Sequence, residues 1–591
     1  MAERSDKPLA RGLAALKMSL GEDAASALLQ SVATRADEAV SYLFPLPMDY
    51  TGAQRQLRIG FPKNFPAAPI RLHVEPSPWL VWPHATKSGL CLHGFRERPI
   101  TGSPEAVVQD SLARLGRIVS LSLWESDSAA RDAEFRNEIT TYWTIQHGKS
   151  LQNLILLERP ASGSELFALS DPRFAVPTGK ETVWLAGDVS VIRAHFRRVT
   201  GRSVKIRSLE APGFYVKLHS YPDIRVPAPE RLLDWLVPHM SEESAKKLLR
   251  WLDERGSITN RWVVVELPEK GSSPIYCLNL RSGGLQPDRG PRFGLRSSRR
   301  RTDKSERISP KLICSSTVDV LDRSTIHSRD VNGVARNLDT SHVVLVGVGS
   351  LGGTVAAQLA RSGVGQITLI DPDTLVSENI GRHVLGADDL GKNKASALRE
   401  QILRDLPTAN VTAYPTYAEF LLIQKTELFE SVDLVIVTTA DWDSEVAFWE
   451  AKSQGATWRL LQAWSEPYTQ VGHALLAPAG PYDARYLFEA NGDFRHKHTE
   501  WPNGGVVPLP ACGESFIPGS SLGMTNVASM VSQVALRALT GDLSDTTWVT
   551  SIYRPQDVVS LGGQYLGPLL PDGVQQSTLE RQWPEQMERV A

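Results

Sequence analysis

HVVLVGVGSLGGTVAAQLARSGVGQITLIDPDTLVSENIGRHVLGADDLGKNK, from His342 to Lys394, decides how this chain folds. The β-branched run Val343 to Val346 predicts a buried strand. Gly347, Gly349 and Gly352 then make a tight turn that opens into a helical pattern. A second apolar run follows and ends at Asp371. Strand, glycine turn, helix, strand and carboxylate, in that order, describe a parallel sheet that binds a nucleotide at its strand ends. The turn lets backbone approach phosphates, and the helix N-terminus supplies N–H groups and a positive dipole. Asp371 is placed to accept ribose hydroxyls.

A dinucleotide site would stop there. This sequence instead adds Asn379, Arg382, Lys392 and Lys394 shortly after Asp371. NAD has no γ-phosphate and gives little reason for clustered cations. A triphosphate does, because Arg and Lys clamp it and stabilise charge on departing pyrophosphate. Further on, Leu434 to Thr439 reads as a buried strand with Asp441 just past its end. A carboxylate in that position can hold Mg²⁺.

Residues 340–560 resemble the adenylation domain of ubiquitin-activating enzymes and of the bacterial enzymes that activate sulfur-carrier proteins. The resemblance implies roles residue by residue. Gly347, Gly349 and Gly352 match the nucleotide loop, and Asp371 the ribose carboxylate. Asn379 falls on the asparagine ahead of the triphosphate arginine, Arg382 on that arginine, Lys394 on the phosphate lysine, and Asp441 on the magnesium aspartate. The implied cofactors are ATP and Mg²⁺. Relatives with a structural zinc carry two CxxC pairs; this chain has none, which implies no zinc. Adenylation domains of this kind pair as symmetric homodimers, so a homodimer is expected.

The N-terminal segment carries a second signal. Phe61-Pro62, Phe65-Pro66 and Pro69 end one extended run and begin another, because proline cannot donate to a strand ladder. Trp82-Pro83-His84 and Gly89-Leu90-Cys91-Leu92-His93 follow. This pattern resembles a ubiquitin-conjugating domain, with Cys91 as its thioester cysteine. The family's His-Pro-Asn turn is here Trp82-Pro83-His84, one residue closer to the cysteine. His84 then stands where an oxyanion-stabilising asparagine would be, and an imidazole can donate one hydrogen bond. Cys91 as a small buried hydrophobe is the plainer alternative.

Of the other cysteines, Cys277 and Cys314 read as strand-core residues. Cys512 lies in Leu-Pro-Ala-Cys-Gly-Glu-Ser, after the Gly- and Pro-rich 501–505 and before a helix, where activating enzymes carry their own thioester cysteine. The alternative is a structural cysteine in a loop.

Composition sets the outer bounds. The chain has 591 residues, 42% hydrophobic and 22% charged, with a net charge of −2. That describes a globular protein of several domains with no electrostatic case for wholesale nucleic-acid binding. No stretch has the apolar length of a signal peptide or a bilayer span, and four scattered cysteines suit a reducing cytoplasm. The expected organisation is α/β throughout: a conjugating-like α+β domain at 1–145, a middle α/β domain at 146–311 ending in an Arg-rich loop, and a Rossmann-like adenylation domain at 312–591. Helices are expected at 13–33, 105–122 and 230–254, and strands at 182–186 and 262–267.

A conjugating domain fused ahead of an activating domain resembles the bacterial ubiquitin-transfer fusions of CBASS antiphage operons. That resemblance implies a cGAS-like nucleotidyltransferase activated at its C-terminus, target lysines as acceptors, and a JAB-type isopeptidase from the same operon as a further partner. Three other functions stand beside it. A sulfur-carrier adenylyltransferase would not need Cys91 and its proline-rich approach. A dehydrogenase would not need Arg382 and the lysines. A non-catalytic scaffold would have lost several of Asp371, Arg382, Lys394 and Asp441.

Overall fold

The structure, a computed structural model, describes residues 6–87, 89–93, 97, 100–147, 152–170, 180–200, 211–228, 231–255, 260–268, 275–282, 310–330, 333–508 and 515–584. Cys512 and nearly all of the Arg-rich 285–311 stretch lie outside these residues, as does the side chain of Cys314. Two compact units emerge: residues 1–189 with 206–320, and residues 190–205 with 321–591.

The first unit opens with α1 (Asp6–Leu20) and α2 (Glu22–Leu28), where one helix was expected at 13–33. Gly21, at φ +86, separates them. Strands β1 (Gln30–Ser31), β2 (Glu38–Pro45), β3 (Gln56–Pro62) and β4 (Arg71–Glu75) form an antiparallel meander in sequence order. β3 ends at Pro62, as the proline spacing predicts. A two-strand ribbon, β5 (Ala85–Thr86) and β6 (Gly89–Leu90), precedes Cys91. Then come α3 (Pro104–Ser120), α4 (Ser128–Asn137) and α5 (Ile139–His147). Leu57, Ile59 and Phe61 alternate inward from β3 and pack with Leu16 of α1 and Val108, Leu115 and Ile118 of α3 in one core.

The same unit holds a second sheet. Its strands are β7 (Gln152–Leu156), β8 (Ser164–Ser170), β9 (Glu181–Ala186), β10 (Gly213–Lys217), β11 (Asn260–Glu266), β12 (Ile275–Ser282), β13 (Pro310–Thr317) and β14 (Asp319–Val320); α6 (Val189–Thr200), which follows β9 in the chain, belongs from Ser190 onward to the second unit. The spatial order is β13-β12-β11-β10-β8-β9-β7-β14. The helix expected at 230–254 is broken into α7 (Leu232–Leu236), one 3₁₀ turn containing Pro238, and α8 (Glu242–Glu254). Proline cannot continue the helix, and the Ser241 hydroxyl restarts it by capping Ser244 N–H. Cys277 is buried on β12, as a core residue should be. Residues 310–320 belong to this sheet, so the C-terminal unit begins at 321 rather than 312.

After α9 (Arg323–Ile326) and α10 (Val334–Asn337), the second unit alternates strand and helix. β15 (His342–Val346), α11 (Ser350–Arg361), β16 (Gln366–Ile370), α12 (Ser377–Ile380), α13 (Lys394–Asp405), β17 (Asn410–Tyr414), α14 (Ala418–Gln424), α15 (Glu427–Glu430), β18 (Leu434–Val437), α16 (Trp442–Ser453) and β19 (Arg459–Ser465) follow in turn. β17-β16-β15-β18-β19 are parallel neighbours. β20 (Val471–Ala477) then turns back antiparallel, and after β21 (Thr499–Glu500), β22 (Val507–Pro508), β23 (Ser515–Phe516) and α17 (Ser521–Thr540) the sheet ends with β24 (Thr547–Tyr553) and β26 (Gln576–Arg581), with α18 (Gln556–Ser560) and β25 (Gln564–Tyr565) between them. Val343 and Leu345 enter one apolar cluster and Val344 and Val346 the other, so both sheet faces are covered. The chain order reverses direction at β15, and ligands bind outside the strand ends at such a point.

Candidate functional sites

The nucleotide loop is held mainly by backbone. Gly347 sits at φ +80, and a Cβ there would press on Thr439 backbone at 2.9 Å. A Cβ on Gly352 would collide with the Gly347 carbonyl. A Cβ on Gly349, the N-cap of α11, meets nothing within 4 Å, so the loop leaves room where a phosphate would approach. Thr438 Oγ1 closes the turn onto Gly347 O at 2.6 Å.

Asp371 is buried at the end of β16 and accepts Val348 N–H (2.7 Å) and Asp373 N–H (2.8 Å), one on each oxygen. Burial pushes its carboxyl upward, against those two amides. Each oxygen keeps a lone pair for a ribose hydroxyl. Lys394 opens α13, its side chain only 12% exposed, with Nζ 2.8 Å from the exposed Asp373 carboxylate. Arg382 Nη1 donates to Ile517 O (3.2 Å), beside β23. Asn379 Oδ1 accepts Val376 N–H (3.3 Å) and caps α12. Lys392 pairs outward with Asp389 (2.8 Å). Asp441 caps α16 through Ser444 N–H (3.3 Å), with its carboxylate exposed. Among the described residues, no group of three or more His, Cys, Asp or Glu could hold a metal. A single carboxylate at Asp441 fits an ion whose remaining ligands are phosphates and water.

Three further residues of the site carry no mark of their role in the sequence. His383 Nδ1 accepts Leu385 N–H (3.0 Å), which leaves Nε2–H to donate to Val348 O (2.7 Å). The neutral ring thus ties the glycine loop to the segment after α12, and burial lowers its pKa. Asn393 Nδ2 donates to both Asp371 O (2.8 Å) and Asp373 O (3.0 Å). Glu445 lies buried behind Asp441, taking Gln462 Nε2–H at 2.6 Å, and burial pushes its carboxyl up to about 7. A Glu one helical turn past Asp441 was visible in the sequence, but nothing there marked it as buried.

Residues 324–455 match the ThiF family. That segment contains the glycine loop, Asp371, Asn379, Arg382, Lys394 and Asp441. Three curated relatives add detail. An ATP-dependent ubiquitin transferase-like protein Cap2 of Pseudomonas aeruginosa is 28% identical over 37% of this chain and 38% of its own length. A Cap2 protein of Enterobacter hormaechei is 31% identical over 31% of this chain and 32% of its own. A probable adenylyltransferase/sulfurtransferase MoeZ of Mycobacterium tuberculosis is 26% identical over 35% of this chain and 49% of its own. The chain thus spans less than half the length of each of these relatives. The ThiF match makes the C-terminal unit a Rossmann-like adenylation-type domain within a mixed α/β protein.

The second site surrounds Cys91 in the first unit. The thiol is exposed at the mouth of a cavity of about 240 Å³ lined by His84, Leu92, His93, Glu97, Arg114, Arg117, Ile118 and Glu138. Burial of this mouth, then Glu138, pushes the thiol pKa up, so the resting cysteine is protonated at neutral pH. Cys91 Sγ lies 3.3 Å from His93 O. The oxyanion role expected of His84 meets a different geometry: its ring nitrogens lie 3.0 Å from Glu138 and 3.2 Å from Glu134. Neither is free to donate to a thioester carbonyl. Glu134, Glu138 and Tyr142, spaced four apart across α4 and α5, share the side that meets this turn. That spacing was visible in the sequence, but not what it would face.

No helix among the described residues is long and apolar enough to cross a membrane.

Proposed function

We propose that this protein uses ATP and Mg²⁺ to adenylate the C-terminus of a partner protein and then conjugates that partner to lysine side chains. The observation that carries the reading is the gathering of the glycine loop, Asp371, Lys394 and Asp441 at the C-terminal ends of β15, β16 and β18, all inside the ThiF match. Asp371 takes the ribose. Lys394, released from Asp373, and Arg382, released from Ile517, meet the phosphates and stabilise charge on departing pyrophosphate. Asp441 would hold Mg²⁺, which supplies further charge neutralisation when bound. The partner's carboxylate attacks the α-phosphate: a C–O–P bond forms and pyrophosphate leaves.

Cys512 then attacks the acyl-adenylate carbonyl. Its thiol proton goes to solvent, AMP departs, and the acyl group passes by exchange to Cys91. A lysine amine finally displaces the Cys91 thiolate and forms an amide. The likeness to the two ATP-dependent ubiquitin transferase-like Cap2 proteins supports conjugation. The rest of the reading follows the resemblance of the sequence to the CBASS fusions: a cGAS-like nucleotidyltransferase as the activated partner, an isopeptidase encoded nearby, and a homodimer through the adenylation domain. The N-terminal meander with Cys91 at a cavity supports a ubiquitin-conjugating-like domain. Pyrophosphate release with ATP and a purified cGAS-like nucleotidyltransferase tests the first step, and undiminished release by Asp441→Ala overturns the assignment. The MoeZ likeness favours a second reading, a sulfur-carrier adenylyltransferase; a Cys91→Ala protein that still completes its reaction on the partner would favour it.

A further inference from the structure

All four polar atoms of His84 are engaged. Its N–H donates to Tyr142 Oη (2.8 Å), and its carbonyl accepts the Cys91 N–H (2.7 Å). Nδ1 lies 3.0 Å from Glu138 Oε1 and Nε2 3.2 Å from Glu134 Oε2. Tyr142 Oη donates in turn to Glu138 Oε2 (3.0 Å), closing a ring of contacts. A neutral imidazole has one N–H and can satisfy one carboxylate; its other nitrogen would turn a lone pair toward carboxylate lone pairs. Two carboxylate partners therefore select the imidazolium. The residue also sits at φ +57, a left-handed conformation that a side chain with a Cβ adopts only when its surroundings hold it there.

We propose that His84 is the positioning residue of the Cys91 site: as an imidazolium bridging Glu134 and Glu138, it holds a left-handed turn whose carbonyl fixes the Cys91 amide, and loss of one proton loosens that hold. The contact reaches Cys91 through backbone, so His84 acts on the thiol without touching the reacting atoms. The inference rests on the conjugation reading only for its consequence, the seating of a thioester cysteine.

Electrostatics agree in direction. The Glu138 contact, against burial and with Glu134 adding to it, raises the His84 pKa above 6.5. A raised folded pKa stabilises fully below the unfolded value and is lost as pH rises through the folded one. The hold on Cys91 is therefore complete below the ordinary imidazole value of 6.5 and is lost as pH rises through the raised one. Thiolate formation has the opposite sign, growing with pH. The titratable and charged groups facing this turn are Glu134, Glu138, Tyr142 and the Cys91 thiol, with His93, Glu97, Arg114 and Arg117 around the cavity. Arg114 is paired with Glu97 and Asp110, whereas His93 Nε2 lies 3.6 Å from Asp110, beyond hydrogen-bond reach.

Peptide-resolved hydrogen exchange of the full chain tests this, following amides 85–93 from pH 6 to 9 with each rate divided by its intrinsic rate. Protection of the segment falls on the order of tenfold across that range, as loss of one charge-assisted contact implies. Cys91→Ala keeps the fall, which separates it from thiol ionisation. Glu138→Gln moves the fall to lower pH, and His84→Gln abolishes the pH dependence. Flat protection in the parent, or an unchanged fall in His84→Gln, overturns the proposal, and the parent profile requires no variant to fold. If the fall is observed but Cys91 never carries a thioester, the clamp stands and the conjugation reading fails. If a thioester forms on Cys91 while protection stays flat, the clamp fails and the conjugation reading stands.

Discussion

The nucleotide site and the thiol site are built from different materials. At the nucleotide site, the chain's own turns do the placing: a glycine loop fixes α11, and Asp371 is seated by two backbone amides. At the thiol site, a strained turn is held by side chains from α4, α5 and the residue joining them, some fifty residues away: Glu134, Tyr142 and Glu138. A site made of backbone geometry tolerates most changes around it and fails when its few anchors are lost. A site made of long-range ion pairs responds in degrees, to pH and to each partner.

The largest effect should separate the two sites outright. Asp441→Ala should cut pyrophosphate release about a thousandfold or more, since the phosphates lose their metal anchor, while leaving hydrogen exchange around Cys91 unchanged. A change in both would show that the two sites are coupled.

Next comes the order of transfer. Cys512→Ala should still release pyrophosphate yet carry no thioester at either cysteine, whereas Cys91→Ala should keep a reducible adduct on Cys512. Non-reducing mass spectrometry reads both, and an adduct on Cys91 in the Cys512→Ala protein would reverse the order.

A stability effect follows. Burial holds the Glu445 proton up to about pH 7, while an unfolded carboxyl loses its proton near 4.5. The folded state then binds more protons, so stability falls as pH rises from about 4.5 to 7, by on the order of 2–3 kcal/mol. Glu445→Gln should flatten that slope in denaturant titrations at pH 5 and 7; an unchanged slope would place the slope elsewhere.

The smallest effect belongs to His383. His383→Ala removes one hydrogen bond to the glycine loop and should weaken ATP binding by about five- to tenfold, with little change in melting temperature. Calorimetric titration with ATP measures it, and an unchanged affinity would mean that the loop needs no brace from outside.

The contrast also explains what could be read from the sequence. The residues from Val343 to Asp371 announce their strand, turn, helix and strand because backbone geometry restricts residue type locally: a positive φ asks for glycine, and a doubly buried strand asks for β-branched side chains. The boundary near 320 was less legible, because β13 and β14 are continuous with a middle sheet whose other strands lie far back in the chain. Pro238 marks the break in the sequence, but the apolar pattern on both sides of it reads as one helix. His84 was singled out, but its partners are defined only by tertiary contact, so its expected oxyanion role gave way to a different geometry. His383 and Asn393 act through backbone carbonyls, and a sequence does not say which carbonyls lie within reach.

The three glycines of the nucleotide loop carry unequal information about descent. Gly347 and Gly352 are demanded by the polypeptide itself, since a methyl group at either would strike neighbouring atoms. A lineage that abandoned ATP would still have to keep them or lose the sheet. Gly349 has open space beside it, and alanine fits there until something bulky approaches the loop. Of the fingerprint, that single position records use rather than ancestry. Drift at Gly349 with Gly347 and Gly352 intact is the mark by which silent copies of this domain could be told from working ones.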